Sequence, residues 1–220
     1  LYTGSQVRKS SSDLSEGFGY SYQRKINGLT GAVIWEQKWI CSSGSEETSG
    51  GGIVSTPHVG RGQISDLVIY SFSLAAKSGS AAAPTTTGTP DPEEVAEGET
   101  QETGEAVASA QAVPDANGTY SLGGRIVAYD KKTGNIVWSV EQTNDYWASP
   151  VVVYDAQGKA YLIQCDRGGI VTFYDASSGI QLNTIDLGSR IDSTPAVFDN
   201  MVVVGTRGKG GAGKGPQIIC

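Results

Sequence analysis

Short apolar stretches alternate with polar turns along most of this chain. The clearest region, from Ser149 to Leu187, holds four segments rich in Val, Ile, Tyr and Phe, separated by glycine-containing turns. These segments are 149–155, 159–166, 170–176 and 180–187. No stretch carries a sustained apolar period of 3.6 residues, which a helix would require. Short segments of this composition predict β-strands, so the pattern predicts an all-β fold.

The turns share a frame that occurs three times, as NGLTGAVIW (27–35), DKKTGNIVW (130–138) and DASSGIQLN (175–183). Each word begins with Asn or Asp and places Thr or Ser before a glycine, which supplies the positive φ of a tight hairpin. The Asn or Asp can accept hydrogen bonds from its own turn. A tryptophan four residues after the glycine can fill the space between neighbouring sheets, although the third word has Asn183 there. The structural repeat positions are Thr30, Gly31, Trp35, Asp130, Thr133, Gly134, Trp138, Asp175 and Gly179.

A second word, Ser-Thr-Pro or Ala-Ser-Pro, occurs at 55–57, 148–150 and 193–195. Pro150 and Pro195 are 45 residues apart, and so are Gly134 and Gly179. A unit of this length with four short strands is typical of a β-propeller blade. The sequence therefore predicts a propeller of four-stranded antiparallel blades.

The repeat also predicts the blade boundaries. We expect a partial blade over 1–41, a blade with an insertion over 53–140, a blade over 147–187 and a partial blade over 192–220. A closed ring of this kind has about seven or eight blades. About four blades, the terminal ones partial, predict an incomplete ring and a piece of a longer chain.

An acidic segment over 75–122 interrupts the second blade. It holds eight acidic residues and one basic residue, which accounts for the whole net charge of −7. Its Pro, Thr, Glu, Ala and Gly content predicts a disordered surface insertion, because it offers little apolar surface to bury. A polar run over 42–51 explains a smaller excess of ten residues between Trp35 and Pro57.

The remaining charge is balanced, which disfavours a nucleic-acid partner. No apolar run reaches the length of about 18 residues that a membrane-spanning helix needs. Cys41, Cys165 and Cys220 have no zinc-site spacing and are interpreted as buried free thiols in strands, with a disulfide left open. The run RGKGGAGKGP (207–216) begins like a phosphate-binding loop, but it leads into another predicted strand and has Gly215 where Ser or Thr belongs. We interpret it as a hairpin loop.

The word VAYDKKTGNIVW (127–138) resembles the blade signature of the pyrroloquinoline-quinone (PQQ) propeller superfamily. YDASSGIQLN lacks the tryptophan, and INGLTGAVIW has Asn27 where Asp is usual. That superfamily includes quinone-dependent alcohol and sugar dehydrogenases and also propellers that bind no quinone. The resemblance implies a β-propeller fold, and it implies a periplasmic, cell-surface or extracellular location.

No catalytic, cofactor-binding or metal-binding residue can be matched to the dehydrogenases of that superfamily. His58, Trp147, Arg190 and Asp192 precede or begin predicted inner strands and are a candidate channel-mouth surface. We therefore expect a non-catalytic binding or scaffold module with a protein or cell-surface ligand and no cofactor. The alternative is a fragment of a PQQ-dependent alcohol or sugar dehydrogenase, which would need PQQ and calcium. A third class, a nucleotide-binding protein, would require ATP binding through Lys214.

Overall fold

A computed structural model describes residues 1–5, 18–43, 52–76, 121–208 and 215–220. Within these ranges the chain forms four antiparallel sheets, and the one helical element is a 3-10 turn at Gly62–Ile64. In every sheet the strands lie in chain order, so each strand pairs with the strand that precedes it. Strands connected in this way need only short hairpins.

Fourteen strands make up the four sheets of the described ranges. The first sheet contains β1 (Tyr2–Gly4), β2 (Phe18–Ile26) and β3 (Val33–Ser43). The second contains β4 (His58–Val59), β5 (Leu67–Ala76), β6 (Ser121–Asp130) and β7 (Ile136–Gln142). The third contains β8 (Val151–Tyr154), β9 (Ala160–Cys165), β10 (Ile170–Asp175) and β11 (Gln181–Asp186). The fourth contains β12 (Ala196–Phe198), β13 (Met201–Thr206) and β14 (Gln217–Ile219).

Apolar side chains fill the spaces between successive sheets. Successive residues of a strand point to opposite faces, so one strand can supply two cores. In β5, Val68 and Tyr70 join the core against the first sheet, whereas Leu67 and Ile69 join the core against the third. A third core lies between the third and fourth sheets around Ile163. Sheets stacked face to face in this way confirm the predicted partial propeller, and each large buried side chain contributes about 1.5–3 kcal/mol.

The repeated turn word, which runs from Asn or Asp to a glycine preceded by Thr or Ser, forms a similar turn at all three positions. Gly31, Gly134 and Gly179 have φ of 75°, 76° and 73°. In the second sheet Asp130 Oδ1 accepts the backbone N–H of Lys132 at 2.9 Å and of Thr133 at 2.7 Å. Asn27 and Asp175 accept equivalent turn N–H groups in the first and third sheets. The short polar side chain therefore satisfies the turn backbone, as its residue type predicts.

The two repeat tryptophans lie on the glycine turn of the following sheet. Trp35 is 8% exposed, and a Cβ added to Gly134 would lie 2.7 Å from its ring. The Trp35 indole N–H donates to the carbonyl of Lys131 at 3.1 Å. Trp138 repeats this arrangement against Gly179 and donates to the carbonyl of Ala176 at 3.2 Å. In β11, where Asn183 replaces the tryptophan, all six residues are exposed.

The pairing of β5 with β6 continues further than the sequence predicts. The sequence predicts that β5 ends near Leu74 and that β6 resumes near Gly123, but Ala75 pairs with Leu122 and Ala76 with Ser121. Most of the acidic insertion, 77–120, lies outside the described residues, as do 44–51 of the polar run and 209–214 of the glycine-rich loop. That loop connects β13 to the antiparallel β14, so it leads into a strand rather than a helix.

The cysteines differ from the prediction at one position. Cys165 is a buried free thiol in β9, and burial raises its pKa to about 12. Cys220 is also free but exposed, because it follows β14, which lies at the edge of its sheet. Cys41 lies in β3. The interpretation of all three as buried was therefore wrong for Cys220.

Candidate functional site

At one edge of the fold, the segments that connect successive sheets lie beside the turns that follow β9 and β13. In a four-stranded antiparallel sheet, the segment that enters the first strand and the turn between the second and third strands lie at the same edge. The backbone N–H of Arg167, in the β9–β10 turn, donates to the carbonyl of Asp145 at 3.0 Å. Arg207, after β13, donates in the same way to the carbonyl of Arg190 at 2.7 Å. Each of these bonds joins a connection between sheets to a turn that follows a second strand.

An exposed tryptophan lies at the centre of this edge beside two guanidinium groups. Trp147 is 41% exposed, although large aromatic side chains are usually buried. The Arg167 guanidinium carbon lies 4.1 Å from the centre of the Trp147 ring, and that of Arg190 lies 5.3 Å away. Both distances are within the range of a cation–π interaction. The two cations hold the ring in one orientation.

Asp192 connects the arginines of this edge. Its Oδ1 accepts from Arg190 Nε at 2.7 Å and from Arg167 Nε at 3.3 Å, and its Oδ2 accepts from an Arg207 terminal nitrogen at 3.1 Å. Arg167 also forms an ion pair with Asp145. We refer to Asp145, Trp147, Arg167, Arg190, Asp192 and Arg207 as the Trp147 surface.

The arginines of the Trp147 surface favour the ionised form of Asp192. Burial would raise the pKa of Asp192, but hydrogen bonds from Arg190 and Arg207 outweigh burial and hold that pKa below its usual value. The side chains of Arg167 and Asp192 are 17% and 20% exposed, whereas that of Arg207 is 64% exposed. The surface therefore presents an aromatic ring and a cationic rim to solvent, and its carboxylates lie beneath.

Buried residues fix the backbone that carries this surface. Tyr146 is 2% exposed, and burial raises its pKa well above the usual value. A Cβ added to Gly124 of β6 would lie 2.5 Å from the Tyr146 ring, so only glycine permits this approach. The Asn144 amide donates to the buried Asp166 at 3.1 Å. Trp147 therefore projects from a rigid support.

The structure brings Trp147, Arg190 and Asp192 together but places His58 elsewhere. His58 begins β4 of the second sheet, and none of the described contacts joins it to the Trp147 surface. Its Nε2 is buried and has no hydrogen-bond partner among the described residues. Burial, followed by the charges of Arg61 and Lys131, lowers the pKa of its imidazole. His58 is packed at the inner strand and is separate from the candidate surface.

Sequence reasoning did not identify Arg167, Arg207 and Asp145. The 45-residue repeat offered a signal for Asp145, because it occupies the position equivalent to Arg190. Arg167 lies two residues beyond the second strand of its sheet, and Arg207 lies one residue beyond the second strand of its own. Periodicity places these turns at one edge but does not show which side chains contact one another.

The described residues do not fit a PQQ–calcium site. They contain no group of three or more His, Cys, Asp or Glu side chains arranged to bind a metal ion. The Trp147 ring, which a planar quinone would need for stacking, is already contacted by Arg167 and Arg190. The carboxylates of the Trp147 surface, Asp145 and Asp192, are paired with arginines.

Within the described residues, no helix has the length and the apolar character of a membrane span.

No curated protein matches the chain. Among solved structures, a europium-containing methanol dehydrogenase is 18% identical with a TM-score of 0.41, covering 86% of this chain and 34% of its own. BamB from Moraxella catarrhalis is 20% identical with a TM-score of 0.32, again covering 86% of this chain and 54% of its own. This chain thus spans about a third and about half of the lengths of these two proteins.

A family model of PQQ repeats, described as "Outer membrane protein assembly factor BamB", matches residues 122–214. The matched range includes β6 from Leu122 onward and β7 to β13, with the third sheet and the repeat turns at Gly134 and Gly179. It also contains every residue of the Trp147 surface. The chain is thus a partial β-propeller built from PQQ-like repeats, and its residues 122–214 match the BamB-like family model.

Proposed function

We propose that this chain is a non-catalytic binding or scaffold module that works in the bacterial envelope or the extracellular space. Its partner is a protein or a cell-surface ligand that docks on the Trp147 surface. The family match supports this proposal, because the description of that family is an outer membrane protein assembly factor. The location follows from the same likeness and is part of the proposal.

The observation that carries the proposal is the exposed and fixed position of Trp147. Tryptophan and arginine are enriched among the residues that contribute most to protein interfaces. Here Asp192 and Asp145 hold the arginines, and the arginines contact the ring. Binding therefore costs less side-chain entropy of this protein than it would if these side chains were mobile.

Site-specific photo-crosslinking in cells tests the proposal. A photo-reactive amino acid replaces Trp147 in the full-length protein, and a matched variant carries it at Leu29, which is 98% exposed in the β2–β3 turn. We expect a discrete protein adduct at position 147 that is absent at position 29. In a second experiment, Arg207→Glu should reduce that adduct at least fivefold, because it reverses the most exposed charge of the surface. Equal labelling at both positions would contradict the proposal.

Quinone-dependent catalysis is the competing hypothesis, with PQQ and calcium as its cofactors. It requires calcium ligands outside the described residues or outside this sequence. We therefore propose that the chain takes no cofactor. The check is to supply PQQ and calcium to the full-length protein and to measure dye reduction with alcohols and sugars. Sustained turnover that depends on both additions would overturn the scaffold proposal.

A further inference from the structure

The repeated Ser-Thr-Pro and Ala-Ser-Pro words place a hydroxyl residue directly before a proline, ahead of the inner strand of the second, third and fourth sheets. These residues are Thr56, Ser149 and Thr194. Proline confines the residue before it to extended backbone, so all three words present their N–H and hydroxyl groups in one conformation. Equal conformation at equal positions of neighbouring sheets permits the same contact to recur.

Hydrogen bonds join these three residues across the sheets, always in one direction. The backbone N–H of Thr56 donates to Ser149 Oγ at 2.9 Å, and the backbone N–H of Ser149 donates to Thr194 Oγ1 at 2.9 Å. The first bond connects the second sheet to the third, and the second connects the third to the fourth. We refer to Thr56, Ser149 and Thr194 as the hydroxyl ladder.

In the two Ser-Thr-Pro words, the serine before the threonine has a different role. Ser55 Oγ donates to the carbonyl of Ser71 at 3.0 Å, and Ser193 Oγ donates to that of Gly205 at 2.9 Å. Both of these bonds remain within one sheet. The ladder residues therefore hold the sheets to one another, whereas Ser55 and Ser193 hold the word to its own second strand.

The hydroxyl ladder lies next to the Trp147 surface. Ser149 follows Trp147 by two residues, and Thr194 follows Asp192 by two. Between Trp147 and Ser149, Ala148 is fully buried, and its carbonyl accepts from Gln164 Nε2 at 2.9 Å. A displacement at the ladder is therefore transmitted through one or two tightly held residues to the surface.

We propose that Ser149 and Thr194 are positioning residues of the Trp147 surface, and that the ladder bond between them fixes the connection bearing Trp147 relative to the connection bearing Asp192. This inference rests on the proposed function for its biological consequence only. The bond itself can be measured without any partner. Thr194→Val removes the acceptor with little change in volume, and Thr194→Ser retains it.

Water-exchange rates of backbone amides, measured by NMR on the full chain, test the proposal. Thr194→Val should accelerate exchange of the Ser149 amide about tenfold, since one hydrogen bond is lost. The same variant should shift the Trp147 indole signal, which is assigned by its absence in Trp147→Phe. Thr194→Ser should leave both readouts as in the wild type. Ser149→Ala should accelerate exchange of the Thr56 amide and leave exchange of the residue-149 amide unchanged.

The matched control is Ser193→Ala, which removes the adjacent hydroxyl. It should leave the exchange of the Ser149 amide unchanged, because Ser193 bonds to Gly205 instead. If the exchange rate of the Ser149 amide is unchanged in Thr194→Val, the proposed hydrogen bond between Ser149 and Thr194 is refuted. Equal acceleration of amides throughout β9 and β10 would overturn it too, because this result would indicate general destabilisation. Faster exchange of the Ser149 amide without a shift of the Trp147 indole signal would overturn the positioning role. None of these results depends on whether a partner binds at the surface.

Discussion

At the scale of single residues, a turn glycine can meet two constraints at once, and substituting that glycine alone does not separate them. Gly134 needs positive φ, and it also needs an empty Cβ position because Trp35 lies against it. Gly31 has nearly the same φ, but a Cβ added there would have no atom within 4 Å. The pair therefore allows the cost of the backbone to be separated from the cost of the contact.

We predict that Gly134→Ala destabilises the protein more than Gly31→Ala does. Positive φ alone costs an alanine about 1–2 kcal/mol, and this cost applies to both variants. Displacing the Trp35 ring should add about 1–3 kcal/mol in Gly134→Ala. Urea unfolding followed by tryptophan fluorescence gives both free energies. Equal destabilisation of the two variants would show that the tryptophan contact imposes no requirement on the turn.

His58 makes the stability depend on pH. Its pKa is lowered by burial and by Arg61 and Lys131, so the folded state binds a proton less tightly than the unfolded chain. The free energy of unfolding should therefore be at its full value above the unfolded pKa of about 6.5 and should decrease as pH falls below it. Unfolding in urea at pH 7.5 and 5.5 measures the change.

The control for this prediction is His58→Gln, which cannot titrate in that range. Since His58 is the only histidine in the chain, the variant should lose most of the difference between the two pH values. If the variant retains the full difference, the titration of other groups is responsible and the role of His58 is refuted.

At the scale of strands and hairpins, periodicity was a strong guide to the third sheet. The four predicted segments from Ser149 to Leu187 contain β8 to β11, because each has apolar alternation and ends at a turn glycine. The ends of β5 and β6 were harder to predict. Ala75, Ala76 and Ser121 have weak strand preference, so only pairing with the opposite strand identifies them as part of the ladder.

We predict that residues 77–120 can be replaced by an Asn-Gly turn without loss of the fold. Ala76 pairs directly with Ser121, and two residues suffice to connect paired positions in a hairpin. Shortening the connection should raise the free energy of unfolding by about 2–3 kcal/mol, because closing a short loop costs less entropy. Chemical denaturation of the shortened and wild-type chains measures this difference.

The matched control replaces the same residues with a glycine–serine linker of equal length. It should unfold at nearly the wild-type denaturant concentration, because its closure entropy is similar. Failure of the shortened chain to fold, together with normal folding of the linker variant, would show that the connection needs more than two residues.

At the scale of the whole molecule, stability is arranged sheet by sheet. Each core lies between two neighbouring sheets, and the second and third sheets are each covered on both faces. The described part of the fourth sheet is covered on one face, and Phe198 and Ile218 are 78% and 83% exposed. Stacked units of this kind unfold according to their own contacts and those of their neighbours.

We therefore predict graded amide exchange along the chain. Amides of β5, β6, β9 and β10 should exchange slowest, and those of β12 to β14 should exchange at least tenfold faster, since fewer contacts must open. Hydrogen exchange followed by mass spectrometry resolves these segments. Uniform protection across the four sheets would show one cooperative unit and would refute the graded model.

The limits of sequence reasoning are clearest at the Trp147 surface. The repeat predicted that Trp147, Arg190 and Asp192 lie near one another, because all three precede inner strands. It also grouped His58 with them, since the pattern gives the position of a residue along a strand but not the environment of its side chain. Arg167 and Arg207 were missed because the repeat spacing does not show which side chains contact Asp192, and Arg167 reaches it from the neighbouring sheet.

The pairing of Ala76 with Ser121 also has a mechanical consequence. The two ends of the segment 77–120 leave the sheet side by side, at the same end of the β5–β6 ladder. The hydrogen bonds of an antiparallel ladder run perpendicular to its strands. Tension that separates the two ends would load these hydrogen bonds one after another, starting with the pair nearest the ends, rather than all at once. The second sheet should therefore yield to small forces applied here, while a pull along its strands would meet the whole ladder.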